Sequence, residues 1–264
     1  VTVLESYLWG LAAIALLAAA GWVASVARRD VGIVDGLWSL FFLLATGVYF
    51  ATTAAPGPRG VLMLVLVSLW ALRLSAHVTW RNWGEPEDRR YRAIRERNEP
   101  GFVWKSLYLV FGLQGVLASV ISLPLLAAVA VPLPLNALDG LGVVLWVVGM
   151  GFETVGDWQL ARFRARPENR GRVMDRGLWR YTRHPNYFGE ICLWWGYWLL
   201  ATAGGGWWTV VSPVLMSFLL VRVSGVALLE QDIAERRPAY RDYVARTNAL
   251  IPGRPRPSAP CPPT

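Results

Sequence analysis

Apolar runs close to bilayer-spanning length, separated by short polar or arginine-rich connections, leave this chain few ways to fold. Hydrocarbon offers no water to backbone N–H and C=O groups, so a run of about 20 apolar residues must satisfy them internally, as a helix. Seven such runs can be read: Val3–Val26, Ile33–Phe50, Val61–Trp80, Leu107–Val129, Leu138–Phe163, Tyr187–Ala203 and Trp207–Leu229. The first lacks the basic leader and short apolar core of a cleavable signal, so it reads as a span. The expected fold is an all-α integral membrane protein, a seven-transmembrane helix bundle. Residues 1–252 read as a single transmembrane domain, and the proline-rich segment 253–264 as a disordered tail.

Composition agrees. Hydrophobic residues make up 55% of the 264 and charged ones 17%, against about 25% in soluble domains. The net charge of +8 is not a nucleic-acid signal, because the arginines sit in connections between apolar runs. Connections after runs one, three, five and seven hold nearly all of them, and those after two, four and six hold only Arg59. By the positive-inside rule the N-terminus lies outside and the C-terminus in the cytoplasm, as expected of a multi-pass protein of a bacterial inner membrane. Cys192 and Cys261 form no metal-binding or disulfide pattern, and no metal is expected.

Polar residues within the spans point to a site, since they are costly in lipid and usually face a cavity. On span three Trp70, Arg73 and His77 recur at three- and four-residue spacing and share a helix face. Glu153, Asp157 and Arg164 do so on span five, and Tyr187, Glu190 and Trp194 on span six. Asp35 lies about one turn inside span two, with Asp30 as the candidate N-cap. Stripes at one end of the bundle imply a shared cavity open to the cytoplasm; the rival reading is ion pairing of Asp157 with Arg73 or Arg164. The connection Gly171–Glu190, GRVMDRGLWRYTRHPNYFGE, carries four arginines, His184, Asn186 and several aromatics. That density suits a polyanionic, aromatic ligand better than an orientation signal alone. No dinucleotide fingerprint or phosphate-binding glycine loop occurs, so side chains and helix ends would hold any nucleotide.

Several motifs resemble the bacterial members of the steroid 5α-reductase superfamily. They are Gly84-Glu85 with Glu87-Asp88-Arg89-Arg90-Tyr91, Phe111 with Gln114-Gly115, and Asp157 with Leu160, Phe163 and Arg164. Arg172, Arg176-Gly177-Leu178-Trp179, Tyr181, Arg183-His184-Pro185-Asn186-Tyr187, Gly189-Glu190, Tyr240, Tyr243 and Leu250-Ile251-Pro252 complete the set. The resemblance implies cytoplasmic cofactor-binding loops, NADPH, and reduction of a conjugated C=C bond in a 3-oxo-Δ4-steroid or similar hydrophobic enone. It implies a nucleotide held by Arg73, Asp88, Arg89, Tyr91, Asp157, Arg164, Arg172, Tyr181, His184, Asn186, Tyr187 and Glu190. Arginine forks match phosphates, while Asn and Glu suit a carboxamide or ribose. Asp35, Trp70 and His77 fall to the catalytic end, with a protonated Asp35 donating to the enone oxygen. Trp70 stands before Arg73 where the animal enzymes have a tyrosine, and an indole donates one hydrogen bond but relays no proton. The expected partners are the enone and membrane lipid, with a monomeric chain.

Two rival classes share part of this pattern. Methyltransferases of the isoprenylcysteine carboxyl type, which use S-adenosylmethionine, carry a similar RHPxYxG. They often pair two glutamates near the last helix, where this chain has Glu230-Gln231. A non-enzymatic lipid binder or transporter would not need the cluster of Arg, Asn, Glu and Tyr, and transporters usually show internal symmetry.

Overall fold

The computed structural model describes residues 1–223 and 239–256 of the chain. Its elements are helical, with no strand among the described residues. They are α1 Val3–Arg28, α2 Ile33–Thr52, α3 Pro58–Asn82, α4 Arg89–Asn98 and α5 Phe102–Ile121. There follow α6 Leu123–Val129, α7 Ala137–Arg164, α8 Pro185–Ala203, α9 Trp207–Val223 and α10 Ala239–Arg246. Five of these, α1, α2, α3, α5 and α7, are long and apolar enough to cross a membrane. This is an all-α membrane protein. Helix α8 has the length, at 19 residues, but Asn186, Glu190 and its many aromatics lower its hydropathy. The expected seventh span begins at Trp207 as read, and its end, with Glu230-Gln231, lies outside the described residues, as does 257–264 of the tail.

Three features of the sequence reading are corrected. The expected single span Leu107–Val129 starts five residues earlier, carries a π turn at Leu107–Gly112, and stops at Ile121, and Pro124 sits in the first turn of the separate short helix α6. Proline lacks the N–H and crowds the preceding turn, so one continuous helix is not available there. The connection between the third and fourth expected spans, a polar loop by its sequence, contains α4. Asp88 caps it by accepting from the Arg90 backbone N–H at 2.8 Å, which offsets the polar composition of the segment. Asp30 does not cap α2, whose N-cap is Gly32; it accepts from the Gly32 N–H instead, at 2.8 Å.

The described chain divides into two compact units. In the first, Val1–Asp139 with Trp198–Ser212, the buried face of α1 is Ser6, Gly10, Ile14, Ala18, Gly21 and Ser25, a mostly small-residue stripe at near-fourfold spacing. Such stripes let membrane helices approach closely when the surrounding lipid is as apolar as the side chains. A side chain at Gly10 would strike the Tyr49 ring, and one at Gly21 would strike Leu37. Across α2 and α3, the Ser39 hydroxyl donates to the Ala71 carbonyl at 2.9 Å and the Ser75 hydroxyl to the Gly36 carbonyl at 2.8 Å. Arg59, fully buried, forms a bidentate pair with Asp139 through Nε–Oδ1 at 2.7 Å and Nη2–Oδ2 at 2.8 Å.

The second unit is Gly140–Tyr197 with Pro213–Thr264. Here α7 and α8 touch backbone to backbone. Gly142 and Gly149 on α7 face Gly196 and Gly189 on α8, so that a Cβ on Gly149, Gly189 or Gly196 would meet the backbone of the other helix. The seven-residue glycine spacing on both helices forms a seam. It aligns the polar N-terminal turns of α8 with the polar C-terminal half of α7.

Candidate functional site

In the first unit the polar centre forms where α4 meets the first turn of α2. Tyr91, buried, donates its hydroxyl to Asp35 Oδ1 at 2.5 Å, and Arg90 Nη2 donates to Asp35 Oδ2 at 3.0 Å. Gln114 on α5 reaches the Tyr91 oxygen at 3.5 Å. The sequence reading has Asp35 donate as a protonated acid. In the structure its two oxygens meet the Tyr91 hydroxyl and the Arg90 guanidinium, so Tyr91 is a second group at this centre with a proton to present. Burial, then the Asp35 carboxylate and the bond to it, push the Tyr91 phenol above its ordinary value, so the hydroxyl keeps its proton. Burial works against the Arg90 charge, but Asp35 and Asp88 outweigh it and hold the guanidinium protonated.

Glu87 ties this centre to the turn between α1 and α2. It accepts from the Val31 backbone N–H at 2.9 Å and from Arg95 at 2.7 and 3.1 Å. Burial opposes its charge, yet these donors prevail and its carboxyl titrates below the usual range. Asp88 is lowered in the same way: Arg90, through side chain and backbone, outweighs the burial. Glu87, Arg90, Arg95 and Gln114 were not assigned roles from sequence. The signal was the helix-start pattern at Asp88, which puts Tyr91 and Arg95 on neighbouring turns of one helix.

The other first-unit candidates are spread along α3 and α4. Trp70 is fully buried, with its ring 5.8 Å from Phe42; it is a packing residue as much as a candidate donor. Arg73 and His77 are half-buried, the His77 ring lying 6.1 Å from Trp80. Arg89 is exposed on α4. Along the α2–α3 seam runs a groove of about 590 Å³ lined by Leu40, Leu72, Ala76, Thr79, Trp80 and Trp83. Its walls, which also include Ser75, are mostly apolar, as suits a hydrophobic molecule.

In the second unit the glycine seam brings Asp157 of α7 to Asn186 of α8, whose Nδ2 donates to Oδ1 at 3.4 Å. Glu190, buried one turn further along α8, accepts from the Trp194 indole at 3.0 Å. His184, buried, stacks on Tyr187 with ring centroids 5.3 Å apart and planes 4° from parallel. The connection before α8 is anchored on α7: the Trp179 indole donates to the Gly156 carbonyl at 3.0 Å, and the Leu178 N–H to Gln159 Oε1 at 3.0 Å. Arg164, Arg172 and Tyr181 are exposed. The donor set suits a dinucleotide in kind. Two exposed guanidiniums match phosphates, and a carboxylate–carboxamide pair matches hydroxyls or a carboxamide.

The DUF1295 family, described as a protein of unknown function, matches residues 21–247. The rat (Rattus norvegicus) protein 3-oxo-5-alpha-steroid 4-dehydrogenase 2 is 32% identical over 111 residues, 42% of this chain and 41% of the rat protein. The match therefore spans about two fifths of the relative's length. No solved structure matches the chain.

Proposed function

The chain belongs to the DUF1295 family, which is the steroid 5α-reductase-like family, and we propose that it is a membrane oxidoreductase reducing the conjugated C=C bond of a hydrophobic enone with NADPH. The observation that carries this reading is the Tyr91–Asp35–Arg90 cluster at the first turn of α2. A buried phenol aimed by a carboxyl group that also meets a guanidinium is a pre-oriented donor for a carbonyl oxygen. The apolar α2–α3 groove suits the hydrophobic body of such a substrate.

When bound, NADPH supplies the hydride. The residues that would hold it are Arg164 and Arg172 for its phosphates, with Asp157, Asn186 and Glu190 for its ribose and carboxamide. The His184–Tyr187 stack would stiffen the loop that carries them. As negative charge builds on the enone oxygen, the Tyr91 hydroxyl turns its proton from Asp35 toward it. That bond strengthens in the transition state, which is what lowers the barrier. Asp35 is then the positioning carboxyl group, and Arg90 holds its second oxygen.

The test is NADPH oxidation by the purified protein in lipid, followed optically across a panel of hydrophobic enones that includes a 3-oxo-Δ4-steroid. Consumption coupled to a product two hydrogens heavier supports the proposal. Failure of every enone with protein that binds NADPH would overturn the reaction class, and failure to bind NADPH would overturn the cofactor.

A further inference from the structure

The second unit holds a pocket of about 620 Å³ lined by none of the residues assigned to the nucleotide or the enone. Its walls include Asp175, Arg176, Gly177 and Arg180 from the connection before α8, with Arg246 and Arg256 from the C-terminal segment. Four arginines and one carboxylate thus line it. That carboxylate is already engaged, since Arg246 Nη2 lies 2.6 Å from Asp175 Oδ2. Arg176, Arg180 and Arg256 are exposed, so their heads reach solvent.

The two segments are bound together where the pocket forms. The Tyr243 hydroxyl donates to the Trp179 carbonyl at 2.5 Å, and the Thr182 hydroxyl to the Leu250 carbonyl at 2.7 Å. The Gly253 N–H donates to the Tyr181 carbonyl at 3.0 Å, and the Arg256 N–H to the Arg246 carbonyl at 2.8 Å. Trp179 is in turn fixed to α7 through Gly156. These bonds hold the arginine-bearing backbone on both walls, and planar guanidinium forks match the oxygens of phosphate in pairs.

We propose that this pocket, formed by Arg176, Arg180, Arg246 and Arg256 around Asp175, is a second anion site that binds a phosphate-bearing ligand independently of NADPH. The shared chemistry is a phosphate group carrying more than one negative charge, which reaches the pocket either as a free phosphate compound or as the headgroup of an anionic phospholipid. A plain orientation signal needs arginines anywhere in the connection. It does not need four of them from two stitched segments around one pocket.

The probe is inorganic pyrophosphate, titrated calorimetrically into the intact protein in phosphatidylcholine nanodiscs. One saturable site per chain is expected, weakening as salt is raised. Arg176→Gln and Arg256→Gln remove exposed heads without touching the Asp175–Arg246 pair, so both variants should insert and purify. Each should weaken pyrophosphate binding about tenfold, the scale of one lost charge-assisted hydrogen bond, with NADPH affinity unchanged. Nanodiscs containing phosphatidic acid separate the two sources: displacement of pyrophosphate identifies a lipid headgroup, and undiminished binding a free phosphate. Absence of saturable pyrophosphate binding in both disc types, with no thermal stabilisation by phosphatidic acid that the two variants abolish, overturns the site. So does binding that both variants leave intact. Loss of NADPH affinity in the same variants would make the pocket part of the nucleotide site and end its independence.

Discussion

Replacing Arg59 alone and together with Asp139 tests how the first unit is held. Arg59 is 0% exposed and Asp139 2%, and the two share hydrogen bonds at 2.7 and 2.8 Å across 80 residues of chain. Arg59 Nη2 also donates to the Pro134 carbonyl at 3.1 Å, and Asp139 Oδ2 accepts the Asn136 N–H at 2.8 Å. In Arg59→Met the carboxylate stays buried with only that N–H. In Asp139→Asn the guanidinium stays buried with a carbonyl and a neutral amide. Removing one partner of a buried pair costs about 3–5 kcal/mol, because the remaining charge is left uncompensated. On the scale of soluble domains of similar size, that lowers the melting midpoint by on the order of 10 °C. The double variant buries no charge and keeps an acceptor for the Asn136 N–H, so its loss should shrink to about 1 kcal/mol. The assay is thermal unfolding in one neutral detergent, read by intrinsic tryptophan fluorescence and by the monomer fraction on size exclusion. Midpoints of both single variants within about 2 °C of wild type would refute the reasoning. A double variant as unstable as the sum of the singles would refute it too.

Tyr91→Phe should lower turnover by about two to three orders of magnitude, the usual scale for one lost donor to a developing oxyanion, while leaving NADPH affinity near wild type in a fluorescence titration. Asn186→Ala and Glu190→Ala should abolish nucleotide binding by calorimetry while the protein still inserts and purifies, since neither residue belongs to the glycine seam that joins α7 to α8. The depressed carboxyl of Glu87 contributes stability that is fully present above the ordinary carboxylate pKa and is lost as pH falls through the lowered value. Limited proteolysis should therefore find α4 and its flanks protected at neutral pH and cut readily once the pH falls below the ordinary carboxylate range, and Glu87→Gln should be cut at every pH.

The spans were legible in the sequence because the bilayer imposes a local rule of length and hydropathy. Read as Leu138–Phe163, span five is α7 at Ala137–Arg164; read from Ile33, span two is α2 from Ile33. The candidate site was partly legible, since Asp157, Asn186 and Glu190 were expected on facing helices and Asp157 meets Asn186. Helix α4 escaped because it is short and mostly charged, with no apolar run to announce it. The break before Pro124 was masked by the apolar residues on both sides of it. Pairings were beyond reach altogether. Nothing in the residues around Asp35 says that Arg90 and Tyr91, 55 and 56 positions away, will meet it, or that Arg59 will find Asp139. A helix face shows which side chains look the same way, but its partner across the interface depends on how closely two helices approach. For α1 against α2 and α7 against α8 that approach is set by glycines whose only contribution is the absence of a side chain. Hydropathy is a sum along the chain and was determined by the sequence itself; the state of each buried charge depends on one neighbour a few ångströms away, and only the tertiary structure supplied it.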